Sequence, residues 1–160
     1  MVLNAVRHSV DKIRKRFIDK PKLAFFVDGP NMIRKEFNID LRDLRKRVGK
    51  YGRIVIGKVF LNQFASEKLI EAVANEGLEA IIALGDPELK TDVDVSIAVH
   101  AMEAIYNPDI EVIAVASRDA DFLPLFQKAK QMGKLTLLVA VEPGLAVSLK
   151  HAADFVEIIK

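Results

Sequence analysis

Four aspartates, Asp28, Asp94, Asp119 and Asp121, have the type and spacing to do chemistry together. Carboxylates held within a few ångströms repel one another and raise each other's pKa values. A divalent cation removes that cost and can lower the pKa of an attacking water and neutralise charge building on a phosphate. The chain has no cysteine, which excludes disulfides, thiolate zinc sites and cysteine nucleophiles. Its three histidines are widely spaced, so a histidine-built centre is disfavoured. An oxygen-only donor set favours Mg²⁺ or Mn²⁺. Near the acids, Asn31 could orient Asp28 or bind a phosphate, Ser117 could donate a hydrogen bond to Asp28 or to a metal-bound phosphate, and Lys90 is a candidate phosphate contact.

An ordinary structural role is open to each of these residues. Asp28-Gly29-Pro30 has turn chemistry. Thr91-x-x-Asp94 has the form of a capping box. Asp119 and Asp121 stand where a helix N-terminus welcomes negative charge. Asn31 could be an N-cap, Ser117 a turn hydroxyl and Lys90 a solvated loop lysine. Taken singly these roles suffice; they do not explain why all the acids fall on one edge.

That edge follows from the elements. Residues 2–19 read as a helix with Val6, Val10, Ile13 and Phe17 at helical spacing among Arg7, Lys12, Arg14, Lys15 and Arg16, ended by Pro21. Leu23–Val27 is a short, wholly apolar run, as in a parallel strand buried on both faces. It stops at a turn, Asp28–Asn31. Helices are expected over 40–49, 65–75, 92–106, 122–132 and near 145–151, and further strands over 53–61, 78–84, 111–116, 134–141 and 155–158. Gly77 and Gly133 are the stops of the third and fifth helices. Strands separated by helices imply right-handed crossovers and a three-layer α/β/α domain with a mainly parallel central sheet. In such sheets ligands bind beyond the carboxyl ends of the strands, where strand order reverses. Asp28 follows the first strand, and Asp119 and Asp121 follow the fourth. If those strands are neighbours, three carboxylates share one crevice, and Asp92 and Asp94 open the helix that leads to it. Residues 85–91 are the most polar internal loop and the expected mobile segment.

Composition sets the wider bounds. The 160 residues suit one domain, here divided into a basic helical segment, 1–21, and a domain over 22–160. No apolar run reaches membrane-spanning length and no secretory signal opens the chain, so no membrane partner is expected and the expected location is cytoplasmic. The net charge of +2 hides an asymmetry: residues 1–58 carry 16 Lys/Arg against 6 Asp/Glu, and residues 59–160 carry 8 against 16. A basic first third can recruit a polyanion while an acidic remainder holds a cation. There is no G-x-x-x-x-G-K-[ST] loop, no G-x-G-x-x-G fingerprint and no G-x-S-x-G elbow.

At these residues the chain resembles the NYN family, a branch of the PIN-like nuclease superfamily that includes the LabA-like proteins. The resemblance is carried by Phe25-Phe-Val-Asp-Gly-Pro-Asn31, Lys90-Thr-Asp-Val-Asp94, Ser117-Arg-Asp-Ala-Asp-Phe-Leu-Pro-Leu125 and Leu149-Lys-His-Ala-Ala-Asp-Phe155. It implies a PIN-like fold and Mg²⁺- or Mn²⁺-dependent hydrolysis of RNA. By position, Asp28, Asp94, Asp119 and Asp121 match the catalytic, metal-holding acids, with Asn31 accompanying the first and Ser117 the hydroxyl of the third motif. Arg118 replaces the motif's common glycine; it could hold a phosphate or partly plug the site. His100 stands where many relatives carry a further aspartate.

The expected function is thus a metal-dependent ribonuclease, with single-stranded RNA favoured as partner and a homo-oligomer compatible with the chain. Arg42–Lys50 and the first helix would track the backbone, and Phe37, Tyr51 and Phe64 are candidates to stack on bases, though core packing is the alternative for the phenylalanines. Two rivals stand. One is a non-catalytic RNA-binding or regulatory module with a residual metal site. The other, a Toprim-like use of Asp119-x-Asp121, needs a glutamate just after the first strand, where this chain has Asp28.

Overall fold

Apolar strands alternating with amphipathic helices produce the expected three layers. The computed structural model describes residues 1–17, 19–34, 37–84, 93–142 and 144–159. Six strands, β1 (Lys22–Asp28), β2 (Arg53–Asn62), β3 (Glu79–Ala83), β4 (Val112–Ala116), β5 (Leu135–Val141) and β6 (Phe155–Ile159), form one sheet in the order β3-β2-β1-β4-β5-β6. Every pairing is parallel. The sheet is therefore parallel throughout, not merely in the main.

The central strands carry the core because parallel strands covered on both faces exclude water from both sets of side chains. In β1, Leu23 to Val27 are all fully buried. Ala24 and Phe26 face a core shared with Ile97, Ala101 and Ile105 of α5 (Asp94–Tyr106) and Leu125, Phe126 and Ala129 of α6 (Leu123–Gln131). Leu23, Phe25 and Val27 face the other core, with Leu44 and Val48 of α3 (Leu41–Val48) and Val73 of α4 (Glu67–Asn75). Burying a phenylalanine such as Phe26 is worth about 2–3 kcal/mol. Asp40 caps α3 and Ser66 caps α4 through side-chain oxygens. Gly77 and Gly133 follow α4 and α6 at φ of +74° and +78°, as expected of left-handed helix stops.

Asp28–Asn31 is not the plain turn that its composition suggests: Gly29–Met32 is a helical turn, α2, capped by Asp28. Pro30 suits its first turn, where a missing N–H costs nothing, and the Asp28 carboxylate accepts from the Asn31 N–H at 3.2 Å. Gly29 is needed because a Cβ there would run into the Phe60 carbonyl of β2.

The first helix, α1 (Val2–Phe17), lies apart from both cores: residues 1–16 are exposed, including Val6, Val10 and Ile13 at more than half of their area. A short helix, α7 (Val147–Ala152), precedes β6. Among the described residues no helix is long and apolar enough to cross a membrane.

Candidate metal centre

Adjacent placement of β1 and β4 creates the crevice. Consecutive strands run outward in opposite directions from this pair, so the segments leaving their carboxyl ends diverge and leave a gap. Val27 pairs with Ala116 at the last register position, so Asp28 and Ser117 leave the sheet side by side. Ser117 Oγ donates to Asp28 Oδ2 at 3.0 Å, and both residues are buried. The same Ser117 Oγ accepts from the Asp119 N–H at 3.2 Å. Asp28 Oδ1 is occupied by the Asn31 N–H. One buried hydroxyl thus ties the end of β1 to the loop after β4.

Beyond that link the chain turns into a 3₁₀ turn, Ala120–Phe122, capped by Asp119, whose Oδ1 accepts from the Asp121 N–H at 3.0 Å. This cap aims Asp119 and Asp121 together. Asp94 comes from the opposite side, at the first position of α5, whose N-cap, Val93, makes no side-chain cap bond. The capping-box alternative involves Thr91, which lies outside the described residues; Asp94 itself opens the helix, where its negative charge meets the positive end of the helix dipole.

The result is a group of three carboxylates. Asp94, Asp119 and Asp121 each offer an oxygen, and these oxygens lie within 4.8 Å of one another. Asp94 and Asp119 are partly buried and Asp121 is exposed, so the group opens to solvent on one side. Among the described residues Asp28 is not a member of this group; it braces the group from behind through Ser117. An oxygen-only set reaching one point, with water on the open side, suits a hard divalent cation that keeps part of its hydration shell.

The other candidates fall as follows. Asn31 is turned to Arg118: its Oδ1 accepts from the Arg118 N–H at 3.1 Å and from Nε at 3.3 Å. The Arg118 guanidinium also lies over the Phe37 ring, 4.6 Å from its centroid. Phe37, a candidate base stacker, is thus a half-buried platform for Arg118 at the edge of a core. Lys90 lies outside the described residues, as do Thr91, Asp92 and the rest of the 85–91 loop. His100 is away from the acids, with Nδ1 2.8 Å from Lys58 Nζ and its ring edge-on to Phe60. Tyr51 donates to Glu157 at 2.8 Å and packs on Phe155. Burial, and then that carboxylate, raise the Tyr51 pKa above its usual 10.0. Phe64 is exposed. In α3, Arg42 and Arg45 pair with Glu76, and Arg47 with Asp43 and Glu157. The neighbouring Asp43, then Glu157, raise the Arg47 pKa.

Sequence reasoning missed the surface beside the acids. A trough of about 450 Å³ runs from Asp94 and Asp121 between α5 and α6, lined by Val95, Ala98, Met102, Pro124 and Lys128 among others. The signal was present: Val95, Ala98 and Met102 are apolar residues at helical spacing beyond Asp94, and Val95 is 76% exposed.

Comparison with known proteins gives the chain a family and a shared fold. The sequence model of one family, the NYN domain, matches residues 22–159. An uncharacterized protein of Methanocaldococcus jannaschii is 50% identical over 146 residues, covering 91% of this chain and 58% of that protein. The chain thus spans little more than half of that relative's length. A crystal structure of a protein of unknown function from Vibrio parahaemolyticus shares the fold, with a TM-score of 0.78 and 22% identity over 89% of this chain and 95% of that one.

Proposed function

The chain belongs to the NYN domain family, within the PIN-like nuclease superfamily, and from that premise we propose that it is a metal-dependent ribonuclease hydrolysing phosphodiester bonds of single-stranded RNA. The observation that carries this reading is the convergence of Asp94, Asp119 and Asp121 at the carboxyl edge of β1 and β4. Three carboxylates this close repel one another, and a divalent cation among them relieves that repulsion. These residues would hold Mg²⁺ or Mn²⁺. When bound, such an ion supplies charge neutralisation at the phosphate and a water of lowered pKa.

The chain's own residues do the rest. Asp119 and Asp94 would be the principal ligands, and Asp121, more exposed, would either join them or support them from just outside the ion. Asp28 and Ser117 fix the loop that carries Asp119 and so set the angle of the group. Arg118, pinned by Asn31 and Phe37, offers its guanidinium to the phosphate, and Lys90, outside the described residues, is carried over from the sequence as a second candidate cation. A bidentate fork suits phosphate better than a point charge does. The basic first third supplies salt-sensitive backbone attraction.

The decisive assay incubates labelled single-stranded RNA with the protein and Mn²⁺ or Mg²⁺, beside Asp94→Asn and Asp119→Asn variants. Losing a ligand is expected to remove about 3 kcal/mol of transition-state stabilisation, roughly 100-fold in rate. Equal residual cleavage by all three proteins would sink the enzymatic reading. Salt-sensitive binding without cleavage would favour the non-catalytic module instead.

A further inference from the structure

We infer that the trough between α5 and α6 is a base-binding subsite, which takes the unpaired nucleobase next to the metal-bound phosphate without selecting its identity. This deepens the ribonuclease reading and rests on it.

The trough begins at the acids and leads away from them. Asp94, Ala98 and Met102 recur every fourth residue, so they lie in a row along one face of α5. At 1.5 Å per residue this row is roughly 12 Å long. Asp121, Pro124 and Lys128 run alongside on the α6 side. One end therefore holds two members of the carboxylate group, the floor is apolar, and the flank carries an ammonium. Lys128 Nζ is steadied 5.7 Å above the Tyr106 ring.

A helix face turned to water is normally polar. Here Val95, exposed, and Met102, half-buried against the core, line an apolar strip at the mouth of a charged site, which binding a cation does not require. The order of chemistry matches one occupant. A nucleotide strand presents a phosphate for the metal end, a flat apolar-faced base for the floor, and a second phosphate for Lys128. Met102 suits such a floor because a thioether adapts to aromatic faces. With few polar atoms on the floor, hydrogen-bond readout of base edges is lacking, while stacking and dispersion treat all bases alike. Paired bases cannot lie in it, since a duplex buries their faces.

The test measures binding of the full chain, in Ca²⁺, to two fluorescent probes by anisotropy: a five-nucleotide single-stranded RNA and an abasic ribose-phosphate chain of equal length. The wild-type protein is expected to prefer the base-bearing strand by about tenfold. Met102→Ala, which removes the floor, and Ala98→Leu, which fills the trough, should abolish most of that preference. Both should leave affinity for the abasic chain, and its salt dependence, unchanged. Equal wild-type affinity for the two probes, or variants that keep the preference, would overturn the base subsite while leaving the metal-centre reading standing. Failure of the wild type to bind either probe would overturn both. A strong preference for one base over the other three would overturn the claim of indifference.

Discussion

Ser117 has one hydroxyl and two uses for it, donating to Asp28 and accepting from the Asp119 N–H. Ser117→Ala removes both bonds inside a buried site and leaves Asp28 short of a donor. Unfolding in urea should show a loss of about 1–3 kcal/mol. Cleavage should fall by roughly 10–100-fold, as for other residues that orient ligands from behind. Unchanged activity in a folded Ser117→Ala variant would mean that the acids need no brace. Arg118 makes a second test at this scale. Its guanidinium is held against Phe37, so Arg118→Ala should chiefly raise KM for RNA and spare kcat, the pattern of lost ground-state binding. These linkages were only partly legible in the sequence. Spacing brought Asp28 and Asp119 to one edge, but it could not show that Asp28 would brace the group while Asp94 entered it. That distinction depends on where α5 starts relative to β1, a tertiary fact that no local pattern encodes.

Elements were easier to read than their ends, because apolar periodicity reports burial directly while termini depend on single caps. The wholly apolar β1 and the stops at Gly77 and Gly133 fall where expected. The helical turn after β1 was missed: four residues are too few for any period, and its Asp-Gly-Pro start reads equally well as a turn. The close approach that forces this turn is non-local, and it yields a prediction. A methyl group at position 29 must displace the backbone of β2, so Gly29→Ala should cost about 1–3 kcal/mol and lower metal affinity with it, as denaturation and metal titration would show. A substitution that left both unchanged would mean that β2 yields at no cost. At the far edge, Tyr51 binds Glu157 of β6 and its pKa is raised, first by burial and then by that carboxylate. A raised phenol pKa favours the protonated folded state, so this stability is complete below pH 10 and is lost as pH climbs through the folded-state value. The stability gap between wild type and Tyr51→Phe should therefore be about 1 kcal/mol at pH 8 and shrink above pH 10. A gap that widened with alkali would contradict the assigned hydrogen bond.

For the whole molecule, the charge asymmetry acquires a location. Much of the basic excess of the first third lies on α1, whose residues 2–16 are exposed and in neither core, and on α3, where Arg42, Arg45 and Arg47 are already paired with acids. The expectation that both helices track RNA is therefore unequal: α1 presents its cations on an exposed surface, with Arg14 4.0 Å from Asp19, whereas Arg42, Arg45 and Arg47 of α3 are engaged by Glu76, Asp43 and Glu157. Deleting residues 2–16 tests the assignment, because stability and affinity should separate. Since residues 2–16 lie in neither core, the unfolding midpoint should move by less than about 2 °C, which corresponds to less than about 1 kcal/mol for a domain of this size. The deletion removes Arg7, Lys12, Arg14, Lys15 and Arg16. On single strands each neutralised phosphate contributes about 0.7 to the slope of log affinity against log salt. If three of these cations engage RNA, the slope should fall by roughly 2 while cleavage of saturating substrate continues. An unchanged slope would take α1 out of the RNA path and leave the paired arginines of α3, together with Arg118 and Lys128, as the cations that hold the strand. A large drop in unfolding midpoint would instead mean that α1 supports the domain, and that its exposed apolar stripe is covered in solution.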